Sequence, residues 1–279
     1  MAIKKVDIAA LSVDELLSAE VESVLRKESV FTPTVRMKMA KIGLSSFDYV
    51  LGDDITIVNV LEDGSEPEST GLIPTVVNIV IDKYKKAARF ITDQAMKQSD
   101  VDMEGQFLEN APQALAAEIE SDNVAGALAA VVGGNELTYG AIVNDLITLD
   151  DVINQDEIMN TAKIPKAGRF WMVSPKCYAN LLKIDNILDA SKRGDDTSAI
   201  VNGFVSKTMG FTFIMSNDLL LQDSLVYHES FFVYVSQEAA NYEKERQASK
   251  NRDYHGIKSL YGQDAVHVDR VWHYTEQLV

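Results

Sequence analysis

The sequence predicts an α+β fold. Apolar residues recur with a period of two near positions 55–60 and 76–81, which indicates β-strands. A helical apolar stripe follows at 115–131, and residues 135–222 alternate between helix-like and strand-like patterns. With 279 residues, 46% of them hydrophobic and 24% charged, the chain is long enough and apolar enough to bury a core.

The N-terminal 50 residues are predicted to combine a short helix with an irregular stretch. Ser12 and Glu15 are spaced as a capping box, which predicts the start of an amphipathic helix. After Pro33 the pattern becomes irregular. The segment has too few large apolar side chains to fold alone, so we expect it to lie on another surface. Its apolar stripe consists of Leu16, Val21, Val24 and Leu25.

A long β-hairpin is predicted next. One strand comprises Ile55, Ile57, Val58 and Val60, and a second runs from Val76 to Ile81. Between them lies LEDGSEPESTGLIP, which is rich in turn formers and acidic residues. The two strands hold few bulky side chains, so an isolated hairpin would be marginally stable.

The longest predicted helix follows the hairpin. Asn110 is the predicted N-cap, with Pro112 in the first turn, and Gly133 and Gly134 end the helix. If the turn around Phe107 joins it, the helix has about 25 residues and a length of about 40 Å. A helix of this length suits a supporting strut.

The remaining chain is mixed and then β-rich. Thr148 opens a helix with Asp151 as its capping-box partner, and Ser174 caps a second helix that begins at Pro175. Strands are predicted from Arg169 to Val173 and from Gly210 to Met215, and β structure resumes at Ser224. Within this last part, the polar run from Gln237 to Arg252 has helical composition.

The charge and the cysteine content limit the classes of function that this protein can have. The chain has 26 Lys and Arg against 42 Asp and Glu, which gives a net charge of -16. Tight binding of DNA depends on basic residues that displace phosphate counterions, so an acidic chain is a poor candidate for it. Cys177 is the only cysteine, which excludes an intrachain disulfide and fits a reducing compartment. No apolar run approaches the roughly 18 residues of a membrane span, and the N-terminus lacks a signal-peptide pattern.

The motifs that resemble ligand or catalytic sites are each incomplete. Asp100, Asp102 and Glu104 begin like a calcium loop, but its twelfth position, which needs a glutamate, is Ala111. The stretch 203–208 has the wrong glycine spacing for a phosphate loop. The four histidines are too dispersed for a zinc site, the paired aspartates lie at turns or helix starts, and no histidine can be assigned to Cys177 as a catalytic partner. We therefore predict no catalytic, cofactor-binding or metal site.

Four strings, in order along the chain, resemble the major capsid proteins of tailed bacteriophages. GDDITI from Gly52 is similar to the hairpin opening GDTVTI of that family, and NIVIDKYKKA from Asn78 resembles LTIDQKKYFA. GRFWMVSP from Gly168, with Tyr178 and two leucines after it, resembles GRYVVVSPEFYALLL. The residues Asn202-Gly203, Gly210-Phe211 and Ser216-Asn217 keep the order of NGYVGRIAGFDVYVSN. The resemblance covers roughly residues 50–220.

This resemblance implies a Hong Kong 97-like capsid fold with five parts. They are an N-terminal arm (1–50), an extended β-hairpin loop (51–95), a peripheral domain with the strut helix (96–134), an axial domain (135–222) and a peripheral-domain return (223–279). The implied function is structural: the chain self-assembles into the icosahedral shell of a virion, around a double-stranded DNA genome that it does not bind sequence-specifically.

The resemblance also implies the partners of the chain. They are copies of itself in hexamers and pentamers, a separate scaffolding protein or none, and a portal, with assembly in the host bacterial cytoplasm and no membrane. Only about 50 residues precede the loop, whereas some family members carry a long N-terminal region that a protease removes, so we expect an uncut N-terminus. Two alternatives remain: an encapsulin shell that holds cargo proteins, and a cytosolic α/β enzyme.

The charges near the predicted hairpin suggest contacts between subunits. The tip concentrates acidic residues with no cation among them, so they repel one another and favour a basic neighbour. The densest basic cluster lies just beyond the second strand. The candidate contact residues are therefore Glu62, Asp63, Glu66 and Glu68 in the tip, and Lys83, Lys85, Lys86 and Arg89 in the basic cluster.

Overall fold

The structure, a computed structural model, describes residues 29–51, 75–99, 102–139, 147–184, 207–220 and 222–275. Its helices are α1 (Asp93–Gln98), α2 (Met103–Ala129), α3 (Leu149–Thr161) and α4 (Pro175–Leu181). Its strands are β1 (Arg36–Met39), β2 (Ser46–Leu51), β3 (Thr75–Val80), β4 (Lys83–Thr92), β5 (Glu136–Thr138), β6 (Arg169–Val173), β7 (Lys207–Thr208), β8 (Phe211–Met215), β9 (Ser224–His228), β10 (Phe232–Gln247), β11 (Arg252–Ala265) and β12 (Val271–Thr275). The α+β prediction is confirmed.

A long arm is built on a four-stranded sheet in the order β1-β10-β11-β4. β10 and β11 are antiparallel and have 16 and 14 residues, so the arm is about 50 Å long at about 3.3 Å per residue. β4 extends the sheet antiparallel to β11, and β1 lies parallel to β10. Helix α2, with 27 residues, packs along one face of this sheet.

Helix α2 begins earlier than the sequence predicts. Asp102, and not Asn110, is the N-cap, and its side chain accepts a hydrogen bond from the backbone N–H of Gly105 at 3.1 Å. Pro112 therefore lies in the helix interior, where it costs about 3 kcal/mol or more. Phe107 and Ala111 begin a row of apolar residues spaced four apart, and both are buried against the sheet. Their burial favours continuing the helix through the proline.

A second sheet forms a separate lobe in the order β5-β12-β9-β6-β8-β7. Its core contains Trp171, Phe213 and Cys177, all of them fully buried. The predicted capping box is present, because Asp151 N donates to Thr148 Oγ1 while Asp151 Oδ2 accepts from Thr148 N. Helix α4 begins at Pro175 after the Ser174 cap, as predicted.

The prediction of helical structure between Gln237 and Arg252 is wrong. This run forms the end of β10, a short 3₁₀ turn (Ala248–Lys250) and the start of β11. Its side chains alternate across the sheet: Tyr242 is buried under α2, while Glu243 on the opposite face pairs with Lys258 of β11. Cross-strand pairing and burial outweigh the helical composition, which is a local preference.

Candidate assembly surfaces

The hairpin formed by β2 and β3 rests on the long arm through one face only. Phe47, Tyr49 and Val77 point into a third apolar cluster, which Val233 and Val235 of β10 complete. The predicted strand at 76–81 is confirmed as β3, but its described partner is β2, which the sequence did not predict. The predicted strand at 55–60 and the tip lie outside the described residues.

The opposite face of the hairpin is exposed and partly apolar. Val50 and Val76 are direct cross-strand partners and are 59% and 52% exposed, and Val80 is 54% exposed. Asn78 donates a hydrogen bond of 2.6 Å to Asp48 between them. An exposed apolar face on a two-stranded hairpin is typical of a surface that a partner covers.

The root of the hairpin crosses the long arm at a glycine. A Cβ added to Gly262 of β11 would lie 2.2 Å from the carbonyl oxygen of Val80. No side chain fits in that gap, so Gly262 permits the close approach of the two backbones. Within the hairpin, a hydrogen bond of 3.0 Å from Ile81 N to Ser45 O closes the root beyond the last β2–β3 pair.

The N-terminal part of the described chain is anchored to α2 by a buried carboxylate. Glu120 is 5% exposed and accepts hydrogen bonds from the backbone N–H groups of Val30 (3.0 Å), Phe31 and Thr32 (3.2 Å). It also accepts from the Thr32 hydroxyl at 2.8 Å, and Asn123 donates to the same hydroxyl. The carboxylate thus binds the amides at the start of the Thr32–Thr34 3₁₀ turn, which have no acceptor within the turn.

The predictions did not identify Glu120, although the sequence carries a signal for it. Ala116, Glu120, Asn123 and Ala127 fall at helical spacing and are all buried, so two polar residues stand in a buried row. Buried polar groups need hydrogen-bond partners, and here the partners lie about 90 residues earlier in the chain.

The basic cluster lies on β4, and most of its charges have partners within the chain. Lys83 lies 3.7 Å from Asp122 of α2, and Lys85 lies 3.0 Å from the same carboxylate and 2.8 Å from Glu118. The hydrogen bond with Glu118 is the main cause that raises the pKa of Lys85 above its ordinary value.

Of the other two basic residues, Lys86 has partners within the chain, whereas Arg89 has no ion-pair partner in the described ranges. Lys86 lies 3.8 Å from Glu243 and 4.9 Å from the ring centre of Tyr254. Arg89 is exposed and forms no ion pair within the described part of the chain. Glu62, Asp63, Glu66 and Glu68 lie outside the described residues, so their contact with this cluster remains a prediction.

The motif-like residues have structural partners. Asp102 caps α2, Glu104 pairs with Lys244 at 2.7 Å, and the thiol of Cys177 is buried and donates to the Gln222 carbonyl at 3.5 Å. Across the described ranges, no group of three or more His, Cys, Asp or Glu side chains is placed to hold a metal ion. None of the helices in those ranges combines the length and apolarity that a membrane span requires.

The fold and these surfaces define a class of protein. A long helix on an extended sheet, a separate mixed-sheet lobe and a projecting hairpin are the features of a shell subunit with the Hong Kong 97-like fold. Residues 74–241, more than half of the chain, match the model of a family described as "Phage capsid protein". The chain belongs to this family of capsid proteins, as the sequence predicted.

Solved structures confirm the fold. The capsid of the cyanophage P-SCSP1u aligns with a TM-score of 0.74 and 16% identity, over 90% of this chain and 89% of that one. A chain from Mycobacterium phage Che8 aligns with a TM-score of 0.68 and 18% identity, over 88% and 91%. A virus-like particle from Pyrococcus furiosus aligns with a TM-score of 0.63 and 10% identity, over 95% and 100%. A comparison with curated protein sequences gives no significant match.

Proposed function

We propose that many copies of this chain close an icosahedral shell around the double-stranded DNA genome of a tailed phage. The observation that carries the proposal is the exposed valine face of the β2–β3 hairpin, in a chain of the capsid protein family. A lone subunit leaves this face in water, whereas hexamers and pentamers of the subunit would bury it.

The proposed division of labour follows the domains that the sequence predicts. Residues 135–222 would meet their copies at the centres of hexamers and pentamers. The long arm, which is the β1-β10-β11-β4 sheet with α2 on it, would connect neighbouring subunits together with the loop 51–95. Of the N-terminal 50 residues, those before β1 would form the N-terminal arm, which Glu120 anchors to α2, while β1 and β2 lie in the sheet and the hairpin.

The negative net charge supports a shell that encloses DNA without binding it tightly. A subunit with a net charge of -16 repels the phosphates of packaged DNA, so it would enclose the genome without sequence-specific binding. In this proposal the chain is a component of the virion with no enzymatic role. It assembles in the host bacterial cytoplasm with a separate scaffolding protein and a portal.

The hairpin tip of one subunit would contact a basic surface of its neighbour. Because Lys83 and Lys85 already pair with Asp122, an incoming carboxylate would join a shared ion-pair network. Arg89, which lacks such a partner in the described ranges, would be the freest cation for it. Each exposed pair contributes only about 0–1 kcal/mol, but the contact repeats in every subunit and makes assembly sensitive to salt.

Shortening the tip tests this contact. Replacing residues Leu61–Ile73 by a short Gly-Ser turn should leave a folded, soluble subunit that fails to close stable shells. A second variant, with Glu62, Asp63, Glu66 and Glu68 changed to their amides, keeps the loop length and isolates the role of charge. Its particles should form but lose their sensitivity to salt. Shortened-tip particles as stable to heat and salt as the parent's would refute the contact.

The shell should be held together without covalent links between subunits. Some members of the family join a lysine of the extended loop to an asparagine of a neighbour, but residues 60–75 contain no lysine. Denaturing gels of mature particles should therefore show one band near 30.8 kDa. A ladder of multimers would contradict this prediction.

The contents of purified particles separate this function from that of an encapsulin. Particles isolated from infected cells should carry DNA that nuclease cannot reach. Particles of the same shape that contain a cargo protein and no protected DNA would favour the encapsulin alternative. A monomer that stays dispersed at high concentration, with its scaffold present, would exclude both.

A further inference from the structure

An exposed apolar strip runs from β1 into the following turn. Met37 and Met39 are 49% and 78% exposed, and Ile42 and Leu44 are 90% and 49% exposed. β1 is an edge strand: it pairs with β10 on one side and with no strand of the described ranges on the other. An apolar, unpaired edge promotes aggregation unless another element covers it.

The two methionines point to the face of the sheet on which α2 lies. Neighbouring residues of paired strands point to the same side, and Met37 pairs with Tyr234, which belongs to the core under α2. Arg36 pairs with Val233 and points to the other side, where it donates to the hydroxyl of Tyr49 at 2.6 Å.

The N-terminal chain leaves the described structure on the same face as these methionines. Glu120 of α2 binds the amides of Val30, Phe31 and Thr32, and Val30 is itself 40% exposed. Residue 29 therefore lies close to α2, seven positions before β1 begins. The described chain therefore ends on the face of the sheet to which the methionines point.

The charges of the two segments are complementary. Between residues 29 and 47 the chain has three cations, Arg36, Lys38 and Lys41, and no acidic residue. Residues 12–25 have four acidic residues and no cation. Lys38 pairs with Val235 and, like Arg36, points away from the methionines, whereas Lys41 lies in the turn after β1. Lys41 forms no ion pair within the described ranges, so it is free to interact with the acidic residues.

We propose that residues 12–25 form an amphipathic helix that docks on the strip of their own subunit. Val21, Val24 and Leu25 of the predicted apolar stripe fall at i, i+3 and i+4, and Leu17 lies one turn before Val21, so one face of such a helix is apolar. That face covers Met37 and Met39, and its acidic residues reach Lys41 in the turn after β1. The helix shields an open sheet edge in the free subunit, and this docking does not depend on shell assembly.

Paired cysteines test the docking, because the only native cysteine, Cys177, is buried. In the full chain, unassembled at low concentration, Val21→Cys with Met39→Cys should form an intrachain disulfide on mild oxidation. Ala19→Cys with Met39→Cys is the matched control, since residue 19 lies on the opposite side of the predicted helix. Docking raises the effective concentration of the first pair, so its oxidation should be at least about ten times faster.

The size of the oxidised product shows whether the docked segment belongs to the same subunit or to a second copy. A disulfide-linked dimer on a non-reducing gel would show that the segment of a second copy occupies the strip, and would overturn docking in the same subunit. Equal oxidation rates for the two pairs would overturn docking altogether. In both variants, Cys177 should stay unreactive toward a thiol reagent, which verifies that the chain is folded.

Charge reversal provides a second test. Lys41→Glu should slow the oxidation of the Val21/Met39 pair several-fold, because it replaces attraction by repulsion. Lys250→Glu changes the net charge equally at a distant exposed position and should leave the rate unchanged. Equal rates in the two charge variants would refute the role of Lys41.

Discussion

Replacing Glu120 by alanine should destabilise the subunit more than any single surface change on α2. The substitution leaves the amides of Phe31 and Thr32 without their acceptor, and these residues are 0% and 5% exposed. Each buried donor left unpaired costs about 1–3 kcal/mol, so the free energy of unfolding should fall by about 2–6 kcal/mol. A typical domain has only about 5–15 kcal/mol in total.

Chemical denaturation of the unassembled subunit measures this change, and Glu118→Ala is its matched control. Glu118 lies two residues away on the same helix, but its side chain is 57% exposed and pairs with Lys85. Losing that pair should cost at most about 1 kcal/mol. Glu120→Gln keeps one acceptor oxygen and should fall between the two. If Glu120→Ala unfolds within about 1 kcal/mol of Glu118→Ala, the carboxylate does not anchor the N-terminal segment.

Two further predictions follow from close approach and from buried histidines. Gly262→Ala should displace the hairpin root, because the added Cβ meets the Val80 carbonyl oxygen. The rate of hydrogen exchange should then rise in β2 and β3, while the amides of the lobe stay protected. Burial lowers the pKa of His228 and of His255 below 6.5, so below about pH 6.5 the unfolded chain takes up protons that the folded chain does not. Above pH 6.5 the free energy of unfolding should not depend on these two groups. As the pH is lowered from 6.5, each histidine should reduce it by at most about 1.4 kcal/mol per pH unit. Urea denaturation between pH 7 and pH 5 measures this slope, and a His228→Gln, His255→Gln variant with an undiminished slope would contradict the assignment.

The sequence predicted the parts of the fold that depend on neighbouring residues. Thr148 and Asp151 cap α3, and Ser174 caps α4, because in each case the interacting groups are three residues apart. The strand at Arg169–Val173 was equally clear, since its continuous apolar run is typical of a strand buried on both faces.

Long-range contacts account for the elements that the sequence did not predict. β1 and β2 follow Pro33, where the pattern is irregular; β1 is fully exposed and is held by backbone pairing with β10, almost 200 residues later. The end of β10 has helical composition and becomes a strand because β11 pairs with it. Periodicity cannot report a partner so far along the chain.

For the candidate contact residues, too, the sequence showed local features but not long-range contacts. The cluster on β4 was found from the density of its charge, but its pairing with Glu118 and Asp122 depends on α2 packing over β4. Glu120 lies in a buried helical row that the sequence shows, but its partners, residues 30–32, are about 90 residues earlier and carry no signal that pairs them with it. The acidic tip residues lie outside the described ranges, so their partner remains a prediction.

A cryo-electron microscopy reconstruction of particles purified from cells that express this chain tests the central claim most directly. We expect a closed shell with icosahedral symmetry, in which hexamers and pentamers repeat the described fold and the valine face of the hairpin lies against a neighbouring subunit. Particles whose subunits leave that face in solvent, or a sample with no closed shells when the scaffold is present, would contradict the account.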